Sequence, residues 1–391
     1  MRIHKVAALA ATAVIIVAAC GPTTTPKPTV ELPTIIGAAE DELNLVIWAG
    51  YAERGEIVAE YNWVTPFEDA TGCKVNTTDM TDSSNGVSLM QSGDYDGISA
   101  SGDATTRLIA GGIVAPVNTA LFKNYANVFA GLKGLPHNTV DGVAYGVPHG
   151  RGPNLLMYNT DVITTTPTSW DGVWEDGSTY AGKISIYDSS IYIADAALHL
   201  MGKNPDLKIT NPYQLNQAQF DAAIDLLTQQ RDNGALYWGT YSDQVTSYAA
   251  EDVVIGTSWQ FQVNLMQGEG EPIAGVLPDE GSTGWSDTWM IAKGAKNPNC
   301  MYLWMDHMMS AEANGMATVW FGEASTSPQA CAFAETLSPG HCELTHATDE
   351  AYYEKIWYWS TPQADCADAD AATTCKDQDA WVAAWTALRG A

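Results

Sequence analysis

Positive charge is scarce in this chain. Its 391 residues include 18 Lys and Arg against 46 Asp and Glu, a formal net charge of −28. A surface that negative repels a phosphate backbone, which argues against general electrostatic binding of nucleic acid. No GxGxxG loop is present to cradle a phosphate, and no internal repeat points to a solenoid. Beyond residue 19 no apolar run is long enough to span a bilayer. No local nucleophile–base arrangement stands out, so an enzyme is not expected. Phenylalanine is also sparse, at 7, whereas tryptophan reaches 14 and tyrosine 17. The dominant aromatics are therefore those with a polar edge, which suit a ligand cleft that is partly wet.

The chain begins with an export pattern. Arg2 and Lys5 precede the apolar stretch Ala7–Ala19, which runs into Val17-Ala18-Ala19-Cys20, a lipobox-like end. Residues 1–19 are expected to be a signal peptide. Residues 20–42 are expected to hold the lipidated Cys20 and a Thr- and Pro-rich tether. The expected location is the extracytoplasmic face of a bacterial cell membrane, by lipid anchor. Removing Cys20 from the count of 7 cysteines leaves an even set, as an oxidising compartment favours. Cys331 with Cys342 and Cys366 with Cys375 are the short closures, which leaves Cys73 for Cys300. The spacing does not resemble a zinc ligand set, and neither a metal nor a cofactor is expected.

The mature region alternates strand and helix patterns, the mark of an α/β protein. Strands are expected at Leu43–Trp48, Lys74–Thr78, Asp96–Ala100, Gly182–Tyr187, Val253–Ser258, Pro272–Leu277 and Thr288–Ala292. Helices are expected at Glu56–Ala70, Ser84–Met90, Ala104–Ala110, Ile191–Met201, Asn216–Arg231 and Asn299–Ser310. The length allows two cores. One lobe is assigned to 43–153 plus about 284–330, the other to about 154–283 plus much of 331–391, which includes a C-terminal extension. The chain is expected to cross between lobes near His149–Tyr158 and Gly275–Trp285, so that closure expels water from a ligand held between them.

Several aromatics stand beside carboxylates, as recognition of an organic cation requires. Trp48 and Tyr51 flank a small-residue turn and either line a pocket or serve as core and surface. Ser101 and Asp103 either cap the next helix or accept a hydrogen bond from an amine. In Gly284-Trp285-Ser286-Asp287, extended backbone points Trp285 and Asp287 to one side. Trp285 then covers carbon while Asp287 takes an ammonium. Trp259 supplies a facing ring or lobe packing. Asp188 is a candidate second acid, with Tyr192 beside it as hydroxyl, ring or core. Trp320 and Phe321 close a pocket end or simply pack. His149 and Arg151 lie at the first crossing. Arg151 either contacts a ligand carboxylate or pairs with an acid at the hinge.

These positions resemble the spermidine/putrescine-binding proteins of ABC importers. Leu45-Val46-Ile47-Trp48-Ala49-Gly50-Tyr51 is similar to that family's opening strand and Trp-x-x-Tyr loop. Tyr95-Asp96-Gly97-Ile98-Ser99-Ala100-Ser101-Gly102-Asp103 is similar to its second loop, and Trp285-Ser286-Asp287 to its Trp-x-Asp signature. By resemblance, Asp188 follows the strand that supplies an amine-binding acid, and Trp259 takes the matching aromatic place. The sequence departs at Asp103, where an aromatic ring is common, and at Ile191 and Tyr192, where a second helix acid is expected.

The resemblance implies a two-lobe periplasmic-binding-protein-like fold of type II, likewise a monomer that works with an ABC permease pair and its cytoplasmic ATPase. It implies capture of an organic cation such as spermidine or putrescine. The alternatives are a zwitterionic amine or amino acid if Arg151 lines the cleft, a carbohydrate stacked on the indoles, and remotely a secreted hydrolase using paired carboxylates.

Overall fold

A computed structural model describes residues 32–175, 179–366 and 374–390. The expected signal peptide and Cys20 lie outside them. Among the described residues no helix is long and apolar enough to cross a membrane.

The chain forms two α/β lobes, each around its own sheet, in the type II binding-protein arrangement. In the first sheet the strands run Lys74–Asp79, Glu42–Ile47, Gly97–Ala100, Thr288–Ala292 and Val114–Ala115, with Val147–Pro148 paired to Thr288–Ala292. The second runs Leu236–Trp238, Ile184–Tyr187, Ile255–Ser258, Leu155–Asn159 and Ile273–Val276. Gly97–Ala100, Thr288–Ala292 and Leu155–Asn159 are buried throughout. Their runs lack alternation because helices or loops cover both faces of the sheet.

The expected helix over Glu56–Ala70 forms only from Val64 to Thr71. Pro66 explains the late start. Without an N–H it fits the first turn of a helix beginning at Val64, but it would break one begun at Glu56. Asn62 accepts from the Thr65 backbone N–H at 3.1 Å, which helps fix the new start. The expected helix from Ile191 instead opens with a 3-10 turn at Ser190–Tyr192, and the α-helix covers Ile193–Lys203.

A third sheet joins the lobes. Ser282–Trp285 lies between Gly152–Pro153 and Ile356–Tyr358. The last of these is a crossing beyond the two expected from sequence. Gly102 and Gly152 permit the tight packing here. A Cβ on Gly102 would stand 1.8 Å from the Trp359 carbonyl oxygen, and one on Gly152 would stand 2.7 Å from the Trp285 ring.

Of the C-terminal stretch, Gln378–Arg389 packs Trp381, Trp385 and Leu388 into the second lobe's core. Cys331, Ala347, Tyr353 and Ile356 instead form a small cluster of their own with Ala324. The three disulfides are Cys73–Cys300, Cys331–Cys342 and Cys366–Cys375.

Candidate functional site

Strand register builds the first half of the site. Thr288 pairs with Ala100 on one side and with Pro148 on the other. The antiparallel partners one step further, Asp287 with Ser101 and Asp287 with His149, therefore meet where the strands end. The Ser101 hydroxyl donates to Asp287 Oδ1 at 2.5 Å, and the His149 backbone N–H donates to the Asp287 carbonyl at 2.8 Å. Ser101 stands at the N-cap of the helix Gly102–Ala110 but makes no side-chain cap bond, since its hydroxyl serves the carboxylate.

Tyr51 arrives from the strand Glu42–Ile47 through a tight turn. Its N–H donates to the Trp48 carbonyl at 3.1 Å, while Gly50 takes φ +88°, a conformation that suits glycine. The Tyr51 phenol donates to Asp287 Oδ2 at 3.0 Å. Its ring stacks on His149 at 4.2 Å between centroids and meets the edge of Phe321 at 4.6 Å. Trp289 Nε1–H donates to His149 Nδ1 at 2.9 Å, so the proton of a neutral ring lies on Nε2, which sits 3.2 Å from Glu323 Oε1. The side chains of His149 and Glu323 are both fully buried.

Asp287 is thus a buried carboxylate whose hydrogen-bonding partners are two hydroxyls. Burial pushes its pKa up to about 6 against the pull of Ser101, His149 and Tyr51, with Glu323 adding to the rise. Such a group gains most when an external cation arrives.

The second half lies on the far side of the crossing ribbon. Gly284 pairs with Pro153, which sets Thr283 opposite Asn154. Asn154 Nδ2 donates to Thr283 Oγ1 at 2.6 Å, and Thr283 Oγ1 donates to Asp195 Oδ1 at 2.9 Å. Tyr187, at the end of its strand, donates to Asp195 Oδ2 at 2.6 Å. Burial raises Asp195 to about 7, with the Tyr187 and Thr283 hydrogen bonds opposing it. Trp259 Nε1–H donates to Asn154 Oδ1 at 3.0 Å, and its ring meets that of Trp238 edge-on at 5.0 Å. Trp285 is half-buried against the same apolar cluster as Trp259 and the buried Trp359.

The residues singled out from sequence thus separate into groups. Tyr51, Ser101, His149, Phe321 and Asp287 come together at the first lobe's strand ends. Trp259 and Trp285 gather on the second lobe's side of the ribbon. Trp48 is half-buried between two apolar clusters of the first lobe. Asp103 is buried and accepts from the Ser83 hydroxyl at 3.0 Å. Tyr192 lies in the second core, accepting from Gln230 at 3.3 Å and stacked on Trp174. Asp188 is clamped from the C-terminal helix, by Trp385 Nε1–H at 2.8 Å and by the Arg389 guanidinium, with Nη2 at 3.1 Å. The Arg151 guanidinium binds Glu350 at 2.8 Å and lies 3.6 Å over the Tyr353 ring.

Asp195, Glu323, Asn154 and Trp359 were not singled out. Asp195 carried one signal, since it lies four residues before His199 and both fall on the buried face of an apolar helix. Glu323 follows a glycine cap and gave none.

Two proteins of Pseudomonas aeruginosa are similar to this chain. One, a putrescine/agmatine-binding protein, is 25% identical over 286 residues, which cover 67% of this chain and 76% of that protein. The other, a putrescine/cadaverine-binding protein, is 22% identical over 315 residues, covering 74% and 84%. Among solved structures, the spermidine/putrescine ABC-transporter substrate-binding protein PotD of Streptococcus pneumoniae superposes with a TM-score of 0.69 at 16% identity, over 89% of this chain and 97% of that one. Residues 62–338 match the family described as bacterial extracellular solute-binding protein, and the chain belongs to that family, whose members bind solutes rather than transform them.

Proposed function

We propose that this protein captures a short organic diamine of the putrescine type and delivers it to an ABC permease pair driven by a cytoplasmic ATPase. The observation that carries this reading is Asp287, a fully buried carboxylate at the lobe junction, hydrogen-bonded by Tyr51 and Ser101 and ringed by aromatic faces. An ammonium there gains charge-assisted hydrogen bonds, and its methylenes gain cover from Trp285 and Trp259. Asp195, held by hydroxyls in the same manner, serves the second ammonium. The putrescine-binding relatives support the same ligand class. Asp188 is a weaker second anchor, because Arg389 already neutralises it. A zwitterion reading needed Arg151 in the cleft, and its guanidinium is engaged by Glu350 and Tyr353 instead. In this reading Cys20 carries the lipid that holds the protein at the membrane.

Calorimetric titration of the mature protein with putrescine, cadaverine, agmatine, spermidine, γ-aminobutyrate and maltose tests it. Saturable binding of the diamines, lost in Asp287→Asn, is the expected result. Binding of maltose alone, or diamine binding that Asp287→Asn leaves intact, would overturn it.

A further inference from the structure

The second lobe holds another cluster of ionisable side chains, and the amine site does not use it. Asp171 opens the short helix Asp171–Trp174, and His199 lies one turn beyond Asp195 on Ile193–Lys203. Glu280 stands in the turn that leads into the crossing strand Ser282–Trp285. One oxygen from each acid and one imidazole nitrogen all lie within 4.8 Å of one another.

Each side chain is held in place separately. Glu280 Oε1 accepts from the Trp170 backbone N–H at 2.7 Å and from the Ser169 hydroxyl at 3.0 Å. Both bonds use one oxygen, and Oε2 accepts none from a described residue. His199 is only 8% exposed and stacks on Trp174 with ring centroids 5.8 Å apart. Neither of its ring nitrogens hydrogen-bonds a described residue. A buried imidazole facing two carboxylates without a hydrogen bond calls for a partner that accepts its lone pair. At present the only cation against the cluster, among the described residues, is Lys203, whose Nζ is 2.6 Å from Asp171 Oδ1. The Lys203 side chain is 46% exposed, so it can swing into solvent when a stronger cation arrives.

We propose that Asp171, His199 and Glu280 form a binding site for a divalent transition-metal ion of the zinc class. One imidazole nitrogen and two carboxylate oxygens make a borderline donor set that zinc accepts, with a fourth position for water. Calcium and magnesium prefer six or more oxygen ligands and gain little from the imidazole. His199 and Glu280 also line a small pocket with Trp174, Leu198, Thr257 and the amine-site acid Asp195. Zinc bonds of about 2.0–2.2 Å place tetrahedral ligands roughly 3.4 Å apart, so binding draws the three side chains inward by about an ångström and expels Lys203. The site ties two helices to the turn that feeds the crossing strand, and so fastens the second lobe next to Asp195.

The test is calorimetry of chelator-stripped mature protein titrated with zinc chloride alone. One saturable site is expected, at least ~30-fold weaker in His199→Gln and in Glu280→Gln, since each removes a first ligand. Lys203→Met removes the competing cation and should tighten zinc binding about fivefold. Glu280 is exposed, so Glu280→Gln and Lys203→Met decide the matter if His199→Gln fails to fold. A tenfold excess of calcium should not displace the zinc. No saturable uptake, uptake that the Gln variants leave unchanged, or displacement by calcium would each overturn the proposal.

Discussion

Two buried carboxylates, one on each side of the crossing ribbon, share a design and differ in charge. Asp287 accepts from Ser101 and Tyr51, Asp195 from Thr283 and Tyr187, and burial raises both. Asp287 at about 6 is ionised at neutral pH and has His149 near it, whereas Asp195 at about 7 is close to half-protonated. On the proposed function, the difference bears on which acid meets an ammonium first. In that reading Asp287 presents a charge to an ammonium, while Asp195 sheds a proton to match a second one. If these two acids hold the proposed diamine, its binding should release a proton from the second lobe, and binding of a monoamine should not.

The comparison breaks most decisively at Asp287. Asp287→Asn should weaken every amine by about 100-fold or more in calorimetry, as loss of one member of a buried charge pair does. Asp195→Asn should weaken diamines about tenfold and leave a monoamine such as butylamine nearly unchanged. Equal losses from the two variants would erase the distinction between the acids. Replacing Trp285 with Ala should cost about tenfold for any organic cation, the scale of a lost aromatic cover. Titrating putrescine at pH 7 in buffers of different ionisation enthalpy should show release of roughly half a proton, absent in Asp195→Asn.

The smallest effect is on the ligand-free fold. Both acids have raised folded-state values, so between about pH 4 and pH 7 these two groups bind more protons in the folded chain than in the unfolded one, while His137 and His199, which burial holds down at about 4, bind fewer. Stability contributed by the acids' protonated forms is present at the acid end and is lost as pH rises through about 6 and then about 7. The acid's share is read by difference: relative to Asp287→Asn, the wild type should lose a few degrees in melting temperature as pH rises from about 4 to about 6.

Much of the scaffold could be read along the chain. The strand Thr288–Ala292 was expected with the bounds it has, and Trp285 and Asp287 stood out as an aromatic beside an acid. The strand reading succeeds because an apolar run is a local signal. The fate of Asp188 was not local. It is taken by Arg389, 201 residues away, once the C-terminal helix docks on the second lobe. Arg151 likewise finds Glu350 across 199 residues. Asp195 was not singled out, because Thr283 and Tyr187 close around it only in the folded chain.

The sequence by itself determined an α/β chain that alternates strand and helix, with cysteines that can pair and acids set beside indoles. Periodicity and composition act over a few residues, and these traits need no more range than that. Only the tertiary structure decided which acids lose their water and which gain an internal counter-ion. Register sets Asp287 between Ser101 and His149, and a returning helix neutralises Asp188. Desolvation and pairing depend on what arrives from distant segments, and the choice of candidate cation-binding residues follows from them.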